Sequence, residues 1–221
     1  MKEVFPGVYN INQKIATLNS VPGTKPFNEI LVTVDEKEYR LWDPNRSKAS
    51  AAILKGLKEF PIKKGSIILY LGIAHGFTAS YFSDIIGPNG VIYGIEFSDR
   101  CFNELLNIAA RRRNILPILA DARKTEEFKD KIIEKVDIVY VDIAQPDATE
   151  VAIRNCKKFL KPHGYLMFTV KTQSVDVTQP AKITVKFEME KIAQADFEII
   201  DWKMLDPFEE CHGFILARMK A

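Results

Sequence analysis

The chain has few cysteines, little net charge and no long apolar run. Its three cysteines, Cys101, Cys156 and Cys211, form no CxxC motif and no Cys/His ladder. This spacing excludes a disulfide framework and a zinc site, so we expect reduced thiols and no bound metal. Apolar runs such as residues 67–74 fall far short of the roughly 20 residues that span a bilayer, and the first residues lack the apolar core of a signal peptide. We therefore expect a soluble, cytoplasmic protein.

The charges are nearly balanced. Lys and Arg number 31 against 29 Asp and Glu, which gives a formal net charge of +2. This surplus is too small to predict nucleic-acid binding from charge alone, so any RNA contact must come from a local basic patch. Hydrophobic residues make up 47% of the 221 residues and charged residues 27%. That composition excludes a disordered chain, and the length of 221 residues favours one domain with a small appendage.

The order of apolar patterns predicts an α/β fold. From residue 61 onward, short β-branched runs alternate with helical patterns, which is typical of βαβ units and a parallel sheet. Strands are predicted at 67–71, 91–95, 115–119, 136–142, 165–171, 197–203 and 213–219, and helices at 47–59, 77–86, 99–112, 125–134, 147–160 and 180–195. Only residues 204–212 join the last two strands, too few for a helical crossover, so this pair is predicted to be antiparallel. Hairpin patterns precede the sheet, and we divide the chain into a small β domain, 1–45, and a larger domain, 46–221.

A Gly-rich turn and an acidic strand end favour a cofactor that contains a ribose. Gly72, Ala74 and Gly76 follow the first strand of the predicted sheet, where small residues let a ligand approach a helix N-terminus. Glu96 ends the next strand and is placed to accept hydrogen bonds from ribose hydroxyls. Ala74 and Phe77 occupy the second and third glycine positions of the G-x-G-x-x-G pattern, which favours S-adenosylmethionine over a dinucleotide. A purely structural strand-to-helix turn is the alternative.

Four more polar residues stand at strand ends. Asp121 is suited to accept from the adenine amine, with a helix cap as the alternative. Asp142 ends a strand too apolar for an unpaired carboxylate, and Lys171 ends the neighbouring strand. We expect these two to form a coupled pair suited to proton transfer, although a solvated strand-end lysine is the alternative. His212 begins the last strand, and a catalytic and a structural role both remain open.

Several motifs together resemble one family. They are YRLWDPNRSK (39–48), LYLGIAHG (69–76), GIEFS (94–98), LADAR (119–123), VDIAQPD (141–147) and DPFEECHGF (206–214). In combination they resemble fibrillarin, specifically the archaeal fibrillarin-like RNA 2′-O-methyltransferases. The similarity extends over nearly all of residues 39–218.

The resemblance implies a Rossmann-like class I methyltransferase: a seven-stranded, mostly parallel sheet whose last strand pair is antiparallel, behind a small N-terminal β domain. It implies S-adenosyl-L-methionine-dependent methylation of ribose 2′-hydroxyls in rRNA and tRNA, within a box C/D guide ribonucleoprotein of the archaeal cytosol. The implied partners are a Nop-domain scaffold protein, a kink-turn RNA-binding protein, the guide RNA and the substrate RNA. The implied reacting set is Lys48, Asp142, Lys171 and His212. The implied cofactor contacts are Gly72, Ala74, Gly76, Phe77, Thr78, Glu96, Phe97, Asp121, Ala122, Asp142, Ile143, Ala144 and Gln145.

The chain departs from the family pattern at His75, Phe77 and Gln173, which stand where Ser, Thr and Arg are usual. These changes bear on cofactor and RNA affinity rather than on the reaction class. Two rival functions remain: a small-molecule methyltransferase, and a catalytically weak scaffold subunit of a ribonucleoprotein. The densest basic runs, Arg111–Arg113 and Lys157–Lys158, lie near predicted helix ends, where the helix dipole also favours cations. A role in RNA contact and a role in stabilising the helix end therefore both remain open for these runs.

Overall fold

The computed structural model describes residues 1–220, which form two β-sheets and six α-helices. The strands are β1 (Lys2–Phe5), β2 (Val8–Ile11), β3 (Lys14–Leu18), β4 (Leu31–Val34), β5 (Lys37–Leu41), β6 (Ile67–Leu71), β7 (Val91–Glu96), β8 (Ile115–Leu119), β9 (Val136–Val141), β10 (Leu160–Lys171), β11 (Phe197–Met204) and β12 (His212–Met219). The helices are α1 (Lys48–Leu54), α2 (Phe77–Ile86), α3 (Asp99–Ala109), α4 (Ala148–Phe159), α5 (Thr172–Val175) and α6 (Ala181–Gln194). None of the helices within residues 1–220 is long and apolar enough to cross a membrane.

The larger sheet has seven strands in the order β11-β12-β10-β9-β6-β7-β8. All neighbours from β10 to β8 pair in parallel, while β12 runs antiparallel to both β10 and β11. The predicted seven-stranded, mostly parallel sheet with an antiparallel last pair is therefore confirmed. The central strands are nearly continuous apolar runs because both faces of a parallel sheet are covered. The chain order reverses between β6 and β9, and ligands of open α/β sheets bind at such a switch point.

The N-terminal sheet is antiparallel, with the order β1-β2-β3-β5-β4. Its core continues into that of the larger sheet, since the buried Trp42 ring stacks on Tyr81 of α2 at 5.0 Å between centroids. The predicted division between residues 45 and 46 therefore stays a prediction, because apolar packing crosses it.

A buried charge cluster also joins the two sheets. Asp84 of α2 pairs with Arg40 of β5 and with Arg112 after α3, and all three side chains are at most 2% exposed. Burial opposes ionisation of Asp84, but the guanidinium groups of Arg112 and Arg40 outweigh it and hold the pKa of that carboxyl below its ordinary value. Arg112 thus serves as an internal ion-pair partner rather than as part of a free basic run.

Two predicted helices are wrong in extent. Residues 125–134 form two short 3-10 turns, because Phe128 leaves the helical region (φ −131°) while its buried ring stacks on Phe159. The helix predicted over 47–59 stops at Leu54, since Gly56 takes a left-handed conformation (φ +79°) that ends the helix.

Candidate active site

A cavity of about 310 Å³ lies at the carboxyl ends of the central parallel strands. Parallel strands end at the same edge, so residues that follow β6, β7, β8 and β9 meet there. Most of the residues predicted to bind the cofactor line it, namely Gly72, Ala74, Glu96, Phe97, Asp121, Ala122, Asp142, Ile143, Ala144 and Gln145. Lys171 lines it too, so two of the four predicted reacting residues, Asp142 and Lys171, share this cavity with the predicted cofactor residues, whereas Lys48 and His212 do not line it.

The Glu96 carboxylate organises the floor of this cavity. Its oxygens accept backbone N–H groups from Ala74 at 2.9 Å, Phe97 at 3.0 Å and Ser98 at 2.8 Å. Ala74 is held at a positive φ of 49°, a conformation that a non-glycine residue adopts only when its surroundings impose it. A Cβ at Gly72 would meet the carbonyl oxygen of Asp142 at 2.8 Å, so only glycine fits there. A carboxylate offers about four lone-pair sites, which leaves Glu96 acceptor capacity for a ribose hydroxyl.

The part of the cavity lined by Asp121 and Ala122 suits an adenine ring. Arg123 donates to the Asp121 carboxylate through Nε and Nη2, and this hydrogen bonding holds the pKa of Asp121 below its ordinary value. Asp121 is thus an ionised acceptor beside the small side chain of Ala122. The Oε1 atom of Gln145 is buried and has no hydrogen-bond partner within residues 1–220, so a donor from a ligand can satisfy it. The acceptor set at Glu96, Asp121 and Gln145 fits an adenosine-containing cofactor.

Three residues predicted as cofactor contacts do not line this cavity. Gly76 precedes α2 and packs toward Leu105. The Phe77 ring instead packs against Phe27 at 5.2 Å between centroids, and the guanidinium of Arg46 lies 4.2 Å from the centroid of the Phe77 ring. The Thr78 hydroxyl lies 2.9 Å from that of Ser47. Cofactor contact by Gly76, Phe77 and Thr78 stays a prediction, and the side chains of the last two have other partners.

The reacting cluster forms around Asp142, immediately after β9. The Nζ atom of Lys171, at the end of neighbouring β10, lies 3.0 Å from Asp142 Oδ1. Lys48, the first residue of α1, brings its Nζ to 3.5 Å from the same oxygen. The hydroxyl of Thr169 also donates to Oδ1, at 3.1 Å. The side chains of Lys48, Asp142 and Lys171 are 14–22% exposed, so the ion pairs are partly desolvated. Asp142 and Lys171 also line the cavity.

His212 lies next to this cluster without joining it. It is paired with Lys171 across β10 and β12, and its Nδ1 is 2.6 Å from the carbonyl oxygen of Glu210. A carbonyl can only accept, so Nδ1 carries the proton. Within residues 1–220 its ring makes no hydrogen bond to Lys48, Asp142 or Lys171, and its catalytic role stays a prediction.

Several residues of the candidate site are not among those predicted from the sequence. Glu209 places Oε2 at 3.9 Å from Lys48 Nζ, although it lies inside the motif DPFEECHGF. Ile95, Ser98, Cys101 and Ala120 also line the cavity. Three of these four are immediate sequence neighbours of predicted residues, so the motif flanks carried a usable signal, whereas Cys101 enters from the first turn of α3.

The fold and the site together define a Rossmann-like protein of the class I methyltransferase type: one reversed strand in a parallel sheet, an acidic strand end after a Gly-rich turn, and a Lys–Asp cluster at the carboxyl edge. The chain matches the Fibrillarin family over residues 1–221 and belongs to that family. This confirms the resemblance found in the sequence motifs.

Individual relatives are similar to this chain over nearly its whole length. The fibrillarin-like rRNA/tRNA 2′-O-methyltransferase of Thermococcus sibiricus is 47% identical over 222 residues, which cover 98% of this chain and 97% of that protein. The crystal structure of Aeropyrum pernix fibrillarin, in complex with natively bound S-adenosyl-L-methionine, has a TM-score of 0.88 and 44% identity, covering 96% of this chain and 94% of that one. A fibrillarin/Nop5p complex structure has a TM-score of 0.89 and 34% identity, covering 100% of both chains.

Proposed function

We propose that this chain transfers a methyl group from S-adenosylmethionine to the 2′-hydroxyl of a ribose in rRNA and tRNA, as the catalytic subunit of a box C/D guide ribonucleoprotein. The observation that carries the proposal is the meeting of Lys48 and Lys171 on one oxygen of Asp142, at the mouth of a cavity suited to adenosine. A small-molecule methyltransferase needs the cavity but has no use for Lys48, a cation that can face an RNA backbone. The names of the relatives in this family support the same activity.

The cavity residues hold the cofactor. Glu96 accepts from the ribose hydroxyls, Asp121 accepts from the adenine amine, and Ala122 leaves room for the ring. The segment from Asp142 to Gln145 closes the side of the cavity nearest the reacting cluster. When bound, S-adenosylmethionine supplies a methyl group on a sulfonium sulfur, a donor that is already activated, so most of the acceleration comes from positioning.

Lys171 is the proposed general base. As the 2′-oxygen bonds to the methyl carbon, the carbon–sulfur bond breaks with its electron pair on sulfur, and the hydroxyl proton passes to the Lys171 amine, whose own proton must first have left to solvent. Asp142 fixes that amine through its Oδ1 and through its backbone carbonyl oxygen, each at 3.0 Å. Lys48 and His212 hold the ribose and the adjacent phosphate.

A Nop-domain scaffold, a kink-turn RNA-binding protein and the guide RNA supply the RNA binding that this chain lacks. One relative in the family is seen in a complex with Nop5p, which supports the first of these partners. The guide then selects the ribose that enters the site.

Reconstitution tests the proposal. The chain is combined with a box C/D guide, its scaffold and kink-turn partners, and S-adenosylmethionine that carries a labelled methyl group. We expect label at a single guide-selected ribose, and its loss when the target is mismatched to the guide. Cofactor binding without RNA methylation would favour the small-molecule enzyme, and absence of cofactor binding at millimolar ligand would favour the scaffold subunit.

A further inference from the structure

The turn between β11 and β12, residues 205–211, carries an acidic residue into the reacting cluster. Glu209 in this turn places Oε2 at 3.9 Å from Lys48 Nζ, and its side chain is 17% exposed. Lys48 therefore lies between two carboxylates, Asp142 and Glu209. Glu209 has no role in the steps of the proposed methyl transfer.

This turn is fixed at three points. Leu205 at its start is fully buried, and its N–H donates to the His212 carbonyl at 3.0 Å. Lys55, just past α1, donates from Nζ to the carbonyl oxygen of Asp206 at 2.8 Å. The hydroxyl of Thr172, next to Lys171, donates to the carbonyl oxygen of Cys211 at 2.7 Å. The turn is thus tied to the elements that present Lys48 and Lys171, so Glu209 keeps a defined place beside Lys48.

The charge arrangement gives Glu209 a task. Lys48 and Lys171 both approach the single oxygen Asp142 Oδ1, at 3.5 and 3.0 Å. Before Lys171 releases its proton, two ammonium groups lie on one carboxylate oxygen and repel each other in a partly desolvated site. The carboxylate of Glu209 attracts Lys48 and brings the cluster in that state to two positive and two negative charges.

We propose that Glu209 is a positioning residue, which holds the Lys48 ammonium beside Asp142 so that Lys48 can meet the substrate ribose and phosphate without displacing Lys171. His212, whose Nδ1 is engaged by the Glu210 carbonyl, does not perform this task. The inference rests on the proposed methyl transfer to RNA, and it concerns the substrate side of the site rather than the cofactor cavity.

The test compares Glu209→Gln with Glu210→Gln in the reconstituted guide complex. Glu210 is the neighbouring exposed acid and contributes only its backbone carbonyl to a hydrogen bond, so it is the matched control. We expect Glu209→Gln to lower the single-turnover rate at saturating cofactor by about tenfold or more, because small displacements of a positioning group are costly. Cofactor affinity should be unchanged, and Glu209→Asp should restore part of the rate.

Two further readouts separate positioning from a merely structural role. In a Lys48→Ala background, Glu209→Gln should cause no additional loss, because a residue that acts through Lys48 has nothing left to hold. A crystal structure of Glu209→Gln should show Lys48 Nζ displaced from Asp142. Equal rates for Glu209→Gln and Glu210→Gln, or additive losses with Lys48→Ala, would overturn the inference. An inactive wild-type complex would instead overturn the proposed function, while the position of Lys48 in the variant crystal would still decide the role of Glu209.

Discussion

Lys171 Nζ lies 3.0 Å from Asp142 Oδ1 at the carboxyl edge of β9 and β10, and a second Lys–Asp pair joins the same two strands at their other end. There, Lys161 Nζ lies 2.7 Å from Asp137 Oδ1. The two pairs are chemically alike, but only the first borders the cavity and contacts Lys48. The place of the pair at the switch-point edge, rather than the pairing itself, is the reason we propose a functional role for it.

Lys171→Ala should lower the single-turnover rate of methyl transfer by about 10² or more, the scale for removing a general base. Cofactor affinity should change little, because the adenosine-binding residues are untouched. Rapid-quench measurement of labelled methyl transfer in the guide complex gives the rate, and calorimetry gives the affinity.

Lys161→Ala is the matched control for this experiment, since it breaks the equivalent pair on the same strands. It should leave the transfer rate near that of the wild type. Near-normal turnover in Lys171→Ala, or equal losses in both variants, would remove Lys171 from the role of base.

Glu96→Gln should weaken S-adenosylmethionine binding by about 1.5–3 kcal/mol, the usual scale for losing hydrogen bonds to a charged group. Gln keeps the length of the side chain, so Glu96→Gln disturbs the turn at Ala74 less than Glu96→Ala would. Glu104→Gln on nearby α3 is the control, because Glu104 is half exposed and does not line the cavity. Calorimetry on the isolated chain measures the S-adenosylmethionine affinity of both variants. Equal affinities for Glu96→Gln and Glu104→Gln would show that Glu96 only accepts hydrogen bonds from the backbone and does not bind the cofactor.

The position of a candidate site residue can be predicted from the sequence where a strand end alone determines it. Glu96, Asp121, Asp142 and Lys171 each end or follow a parallel strand, so the topology brings them to one edge. Lys48 lies on α1, outside the strand series, and only the family resemblance singled it out.

The remaining features depend on tertiary packing that no local pattern reveals. Glu209 reaches Lys48 only because Lys55 and Thr172 hold the turn that carries it. Phe77 faces Phe27 of the N-terminal region instead of the cavity, a contact between residues far apart in the chain. Burial of Phe128 likewise overrides the helical pattern of residues 125–134.

Asp84→Asn should destabilise the fold by about 3–5 kcal/mol, because removing one partner of a buried pair leaves the others uncompensated. Arg40 and Arg112 would both lose their shared carboxylate, and Glu29 would remain for Arg40 alone. Urea unfolding at neutral pH measures the change. Glu198→Gln, which breaks the exposed pair with Arg218, is the control and should have little effect.

The same carboxylate predicts acid sensitivity. Its pKa in the folded chain lies below the ordinary value of 3.8, so the unfolded chain binds the proton more readily. The stability that Asp84 contributes is therefore complete above about pH 3.8 and is lost as the pH falls below it, through the folded-state pKa. The difference in unfolding free energy between wild type and Asp84→Asn should shrink over that range, and a constant difference would contradict it.

The basic runs offer few cations to RNA. Arg112 is buried against Asp84, which leaves Arg111 and Arg113 exposed on either side of it. Lys158 pairs with Glu126, and the net charge is only +2. Stable binding to RNA requires several phosphates to be neutralised together.

The isolated chain should therefore bind naked RNA with a dissociation constant no lower than the roughly 10⁻⁴ to 10⁻⁶ M typical of non-specific contact. RNA methylation should appear only when the chain is part of the assembled guide complex. Gel-shift and methyl-transfer assays at about 150 mM salt, with and without the scaffold proteins, measure both properties under physiological screening. Arg111→Ala should reduce the residual affinity and its salt dependence, whereas Arg112→Ala should lower the stability of the fold, because only the first side chain is exposed. Sub-micromolar binding by the chain alone, or guide-independent methylation at the rate of the complex, would mean that a basic surface outside these runs engages RNA directly.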